Sequence, residues 1–231
     1  MKTLLTGACA LLASAVLATA QDGFQSLFNG EDLEGWDGNP KFWSVDNGEI
    51  VGKTTPENPT RGNTFLIYRE DSVDDFELVL EYKILGGNSG IQYRSVDLGN
   101  WVVSGYQGDF ESGTTYSGIL YHEKGRGILA QRGQVTKIVD GDDPGRHRVE
   151  VIGSVGDTKD IQSVIKEEDW NEYRIIANGN QFTHMINGRV TAMVIDEHQS
   201  GSRKSGVLAL QLHAGPPMEL RFRNIRLRPI R

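Results

Sequence analysis

The chain has 231 residues, 38% hydrophobic and 24% charged, an ordinary globular composition with room for one sizeable core or two small ones. Its formal net charge is −7, or −8 once the single positive charge of Lys2 leaves with the leader described next. An acidic chain argues against nucleic acid as a partner, because phosphate binding needs concentrated Lys and Arg.

Residues 1–20 read as a secretory leader. Lys2 supplies a short positive start, Leu4 to Leu17 an apolar stretch too short for a membrane span, and Ala18-Thr19-Ala20 a small-x-small cleavage site. The mature domain is then expected at 21–231. The one cysteine, Cys9, falls inside the leader, so the mature chain enters an oxidising compartment without disulfides, thiol catalysis or Cys-ligated metal. No later segment is apolar enough to span a bilayer. The expectation is a periplasmic or secreted bacterial protein with no integral membrane segment after cleavage.

From Gly23 onward the pattern is almost entirely β. Phe24 to Gly30 reads as a short strand, and Phe42 to Val45 with Ile50 to Gly52 as a hairpin around Asn47-Gly48. Residues 53–63 read as a loop, Thr64 to Tyr68 as a strand, and Phe76 to Ile84 as a longer one. Gly86-Gly87-Asn88-Ser89-Gly90 then predicts a tight hairpin into a strand through Ser95, since Gly and Asn tolerate positive φ. Strands follow at 101–110, 117–123 and 128–130. Residues 132–167 are weakly patterned, with a short helix expected near Val155 to Lys166. The last third resumes with strands at 170–177, 181–186, 189–195, 206–214 and 220–227. Arg221, Arg223, Arg226 and Arg228 alternate there with apolar residues as the wet face of a last strand. Many short strands, Asn-Gly turns and little helix predict an all-β sandwich in one domain.

Successive side chains of a strand point to opposite faces. On that rule Gln92 and Arg94 share a face, as do Gln107 with Asp109, Tyr121 with Glu123, and Gln211 with His213. Four strands presenting polar groups away from the core suit a sugar, whose hydroxyls need paired donors and acceptors and whose ring seeks an aromatic face. Trp101 is the expected exposed stacking ring. Trp36, Trp43 and Trp170 read as core, and His122 as structural.

Several segments together resemble a known family. They are Leu27-Phe28-Asn29-Gly30 with Leu33 and Gly35-Trp36, the Gly86–Ile91 turn, Gly105-Tyr106-Gln107, and Trp170 to Arg174. Ile186-Asn187-Gly188, Leu210 to His213, and Phe222 to Ile225 complete the set. In order and spacing they resemble the 3-keto-disaccharide hydrolase domain family, also described as 3-keto-glucoside lyases and hydratases, from Phe24 to the C-terminus. The resemblance implies a concanavalin A-like jelly-roll β-sandwich of two curved antiparallel sheets with a sugar-sized groove. It also implies cleavage of 3-keto-glycosides by C2 proton abstraction and β-elimination at C1, with hydration of the enone completing a net hydrolysis.

Such chemistry needs a base, an electrophile over the C3 oxygen and an acid for the leaving group. Side-chain chemistry and expected facing offer His213 or Asp109 as base and Glu123 as acid. Gln92, Arg94 and Gln211 would hold the ketone and hydroxyls, and Tyr106, Gln107, Tyr121 and Arg132 would line the groove with Trp101. A divalent cation held by Asp109, Glu123 and His213 is an alternative electrophile. The competing reading is a non-catalytic carbohydrate-binding module on the same fold. A retaining glucanase would need paired carboxylates alternating along one sugar-facing strand, and none is present.

Overall fold

Two Asn-Gly pairs close two-residue hairpins as expected. Asn47 and Gly48 take φ of 51° and 77°, Asn187 and Gly188 48° and 77°, the double positive φ that fits a turn to the twist of its flanking strands. The computed structural model describes residues 23–231, and the expected leader with Cys9 lies outside them.

The described residues form seventeen strands and one short helix. In chain order the strands are β1 Gln25–Ser26, β2 Trp36–Asp37, β3 Trp43–Asp46, β4 Glu49–Lys53, β5 Thr64–Tyr68, β6 Phe76–Leu85, β7 Asn88–Asp97, β8 Val103–Glu111 and β9 Leu120–Glu123. They continue as β10 Gly127–Ala130, β11 Gln134–Asp140, β12 His147–Ser154, β13 Asn171–Asn178, β14 Gln181–Ile186, β15 Arg189–Asp196, β16 Val207–Leu212 and β17 Glu219–Pro229. The helix α1, Thr158–Gln162, is capped by the Asp157 side chain.

The strands build two sheets. One runs β12-β11-β15-β14-β13-β6-β17-β4-β3, with β1 added beside β17; the other runs β10-β9-β8-β7-β16-β5-β2. Every pairing between strands is antiparallel except β11 with β15, which is parallel. The apolar core lies between the sheets, with Leu78, Leu80, Tyr82 and Phe222 on one side and Ile91, Tyr93, Phe110 and Leu210 on the other. This is the expected β-sandwich. His184 bridges the layers, fully buried between the hydroxyls of Tyr93 (3.0 Å) and Tyr173 (3.2 Å), and burial pushes its pKa down to about 3.

Three local expectations are corrected. Gly86-Gly87 does not close a hairpin. β6 pairs with β13 and β17, whereas β7 pairs with β8 and β16, so the two glycines, at φ 76° and 74°, turn the chain from one sheet into the other. Both edges of β6 are already occupied, which leaves β7 no place beside it. The weakly patterned stretch 132–167 holds β11 and β12 as well as the helix. Its signal was faint because β12 is an edge strand exposed along much of its length, leaving Val151 59% and Ile152 53% accessible, and such a strand carries no buried-face alternation. Trp170 lies outside the core, under the Arg223 guanidinium at 3.9 Å. The arginines of β17 do form a wet face, pairing with Glu49, Glu219, Glu81 and Glu77.

Candidate active site

Four neighbouring strands, in the order β9-β8-β7-β16, occupy the centre of the seven-stranded sheet. Their registers bring Gln92 opposite Gln107, Gln107 opposite Tyr121, and Gly90 opposite Asp109. Since alternate residues share a face, the inward set of Ile91, Tyr93, Tyr106 and Leu210 commits the outward set to polar side chains. A groove of about 430 Å³ opens over this outward face, lined by Gln107, Asp109, Tyr121, Glu123, Gln211 and His213 among others. The sequence-based set is thus brought together at its centre.

The groove is acidic and partly dry. Asp109 is 6% exposed and Glu123 6%. Burial raises the Asp109 carboxyl to about 7, with neighbouring Glu123 and Glu111 adding to the rise and hydrogen bonds from Gln107 and Asn88 opposing it. Burial also raises Glu123, against hydrogen bonds from Asn63 and Gln211 and the nearby Lys124 and His213. Asn63 Nδ2 lies 3.3 Å and 3.5 Å from the two Glu123 oxygens. Gln211 Nε2 lies 3.4 Å from Glu123 Oε2, and its own Oε1 is buried without a protein partner. The contact of His213 Nδ1 with the Ala214 carbonyl at 2.5 Å makes that nitrogen the donor, since a carbonyl oxygen only accepts.

Several expected members lie elsewhere. Arg94 is fully buried on the core side. A bulge between Tyr93 and Val96 sets two residues against Gly105, and Arg94 adopts φ 46° within it. Its side chain therefore follows Tyr93 inward, lies over the Phe182 ring at 5.2 Å, and donates to the carbonyls of Asp74 and Gly179 and to Asp75 Oδ1. Tyr106 is also fully buried. It stacks on Tyr93 at 5.5 Å and donates to Asp196 Oδ2 at 2.5 Å. Arg132 sits beneath the groove rim, donating to the carbonyls of Thr114 and Ser117 at 2.7 Å each. Trp101 is half-buried away from the groove, its indole N–H donating to Asp37 at 2.7 Å. Gln92 lies under the groove floor, fully buried and donating to Gln107 Oε1.

The alternation rule overlooked the loop and strand-end contributors Asn63, Asn88, Glu111 and Tyr116. Tyr116, 43% exposed on the rim, supplies the aromatic face expected of Trp101. Glu111 accepts from the backbone N–H groups of Thr115 and Tyr116, at 2.5 Å and 2.8 Å, and holds that rim in place. Asn88 and Glu111 stand opposite one another at the ends of β7 and β8, a pairing readable only once those strands were known to be partners. Asp109, Glu123 and His213 share the groove, but among the described residues no group of three such side chains is arranged to hold a metal ion. No helix among the described residues is long and apolar enough to cross a membrane.

Comparison with solved structures agrees with the fold. Two provisionally assigned glycosyl hydrolases from Parabacteroides distasonis ATCC 8503 superpose with TM-scores of 0.56 and 0.57 at 18% and 19% identity, covering 90% of this chain and 99% and 94% of theirs. The carbohydrate binding module CBM66 from Bacillus subtilis superposes with a TM-score of 0.52 at 14% identity, over 84% of this chain and 95% of its own. At such identities the likeness establishes architecture alone. No functionally curated protein matches the sequence. The model of the 3-keto-alpha-glucoside-1,2-lyase-like domain matches residues 23–228, and the chain, a carbohydrate-related β-sandwich, belongs to that family.

Proposed function

We propose that the protein cleaves 3-keto-glycosides by elimination, with Asp109 as base and Glu123 as acid. The observation that carries this reading is the pair of buried carboxyl groups in one groove, Asp109 raised to about 7 and Glu123 raised above its usual range. A base that titrates near neutrality combines availability with driving force, and a carboxyl kept partly protonated can act as an acid. In the proposed step the ionised Asp109 takes the proton from C2, which the C3 ketone acidifies. The C2–H electrons form the enolate, which re-forms the ketone as the C1–O bond breaks, and Glu123 gives its proton to the departing oxygen. The products are an enone and a free hydroxyl, and addition of water across the enone completes a net hydrolysis. With Arg94 in the core, hydrogen bonds to the C3 oxygen fall to Asn88 and Tyr121 at the groove wall.

The same reading has the first 20 residues removed as a secretory leader and the protein working in the periplasm or outside the cell, supported by Lys2, the apolar run to Leu17 and the Ala18-Thr19-Ala20 site. The architectural likeness to a carbohydrate binding module favours the second reading, a sugar binder without catalysis. Incubating the purified protein with a 3-keto-glucoside and with its unoxidised parent separates them. Enone and released aglycone from the keto substrate alone are expected; measurable sugar binding with neither substrate cleaved would leave the binding module.

A further inference from the structure

Beneath the groove a chain of buried side chains runs across two strands. Ser95 Oγ donates to Gln92 Oε1 at 2.7 Å, Gln92 Nε2 donates to Gln107 Oε1, and Gln107 Nε2 donates to Asp109 Oδ1. Ser95, Gln92 and Gln107 are 2%, 0% and 2% exposed. Its direction follows from chemistry. An ionised carboxylate only accepts, so Gln107 must turn its N–H toward Asp109, which leaves its carbonyl oxygen facing Gln92. Gln92 must then present its own N–H there and its oxygen to Ser95, whose hydroxyl has a proton to give. One end is tied to the groove and the other to a serine that never reaches it.

The strands leave room for this chain in two places. A methyl group at Gly90 would collide with the Gln107 side chain, and one at Gly105 with Ser95, both closer than side chains ever approach. Each glycine stands in a strand interior, where lack of a side chain weakens the strand and marks a close approach.

We propose that Ser95 and Gln92 are positioning residues for Asp109: through Gln107 they fix the orientation of its carboxylate and keep Oδ1 an acceptor. This rests on the assignment of Asp109 as base. The other ionisable groups near that carboxylate are Glu111, Glu123 and Tyr121 in the groove and Tyr173 from the facing sheet, and none of them belongs to the chain.

The test replaces Gln92 with Met, which removes both amide partners at similar length. kcat is expected to fall at least tenfold with KM within twofold, since Gln92 does not line the groove. The acid limb of kcat/KM is expected to move up by about one pH unit as Gln107 is freed to turn away. Ser95→Ala, cut at the far end, should shift the limb the same way by less, and serves if Gln92→Met fails to fold. A titration of Asp109 followed by carboxyl-carbon NMR reads the same shift without turnover. A folded Gln92→Met protein whose limb and Asp109 titration both match wild type would overturn the proposal. A shifted titration in a protein that cleaves no 3-keto-glucoside would instead sink the assigned reaction and leave the chain's hold on Asp109 standing.

Discussion

Asn63 spans from Glu123 to the backbone after His213: its Nδ2 faces both Glu123 oxygens at 3.3 Å and 3.5 Å, and its Oδ1 accepts from the Ala214 N–H at 3.0 Å. The amide favours the charged form of Glu123 and so holds its pKa below what burial alone would set. Asn63→Leu is expected to raise that pKa. An acid that stays protonated longer moves the basic limb of kcat/KM to higher pH, while the acid limb, set by Asp109, stays in place. A pH–rate profile of the variant checks this, and movement of the acid limb instead would reverse the two roles.

Asp109→Asn should abolish turnover, by roughly 10²–10⁴-fold for loss of a general base, yet stabilise the fold. The native carboxyl titrates near 7, above the ordinary carboxylate range that applies to the unfolded chain, so the native state holds the extra proton between those values. Stability therefore falls as pH rises through that window and stays reduced above it. Asparagine carries no charge to bury. The variant's Tm at pH 8 should exceed wild type by at least about 2–4 °C, the shift that about 1 kcal/mol produces in a domain of this size. The gap should close toward pH 4. Thermal melts across pH decide it, and a constant offset would mean that charge burial is not the cause.

Arg94→Met should act on the fold and leave the chemistry alone. Arg94 is buried while its ion-pair partner Asp75 is 38% accessible, so the cost comes from the Asp74 and Gly179 carbonyls left without a donor, about 1–3 kcal/mol for each buried group left unpaired. Denaturant unfolding should show that loss, with KM unchanged in the folded fraction. A variant of wild-type stability with a raised KM would return Arg94 to the substrate.

Arg132→Ala should loosen the rim carrying Tyr116 by freeing the Thr114 and Ser117 carbonyls. KM should rise several-fold and protease cleavage at 112–118 should appear. Tyr116→Ala should weaken sugar binding by about 0.5–1.5 kcal/mol, the scale of one aromatic contact, and Trp101→Ala should leave it unchanged. Isothermal titration with an unreactive sugar analogue compares the two.

The sandwich and most of its strands were legible because buried strands alternate and Asn-Gly turns announce hairpins. The same rule found Gln107, Asp109, Tyr121, Glu123 and Gln211 before the strand order was known. Tyr106 shows where it was set aside: one residue from Gln107, it had to face inward, and it does. Arg94 shows where the rule itself fails, since no residue in Tyr93-Arg94-Ser95-Val96 signals a bulge, and positive φ at an arginine is not a propensity one reads from composition. Trp101 looked exposed because its partner, Asp37, is 64 positions away. Asn63 and Tyr116 sit on loops, where periodicity says nothing.

The bulge at Arg94 also separates two kinds of change that a regular strand would couple. Up to Gln92, β7 sends its outward side chains toward the groove; at Tyr93 and Arg94 two consecutive residues turn inward, and Ser95 faces out again. A library randomised at Asn88 and its groove neighbours can therefore explore new substrates without touching the Arg94 anchor. Deleting Arg94 would leave one residue against Gly105 with Val96 still opposite Ser104, so it would straighten the strand and remove the anchor without exchanging faces. Point substitution should be productive at Asn88, at the open end of β7, whereas deletion of Arg94 takes away the hydrogen bonds it gives to the Asp74 and Gly179 carbonyls and should cost stability.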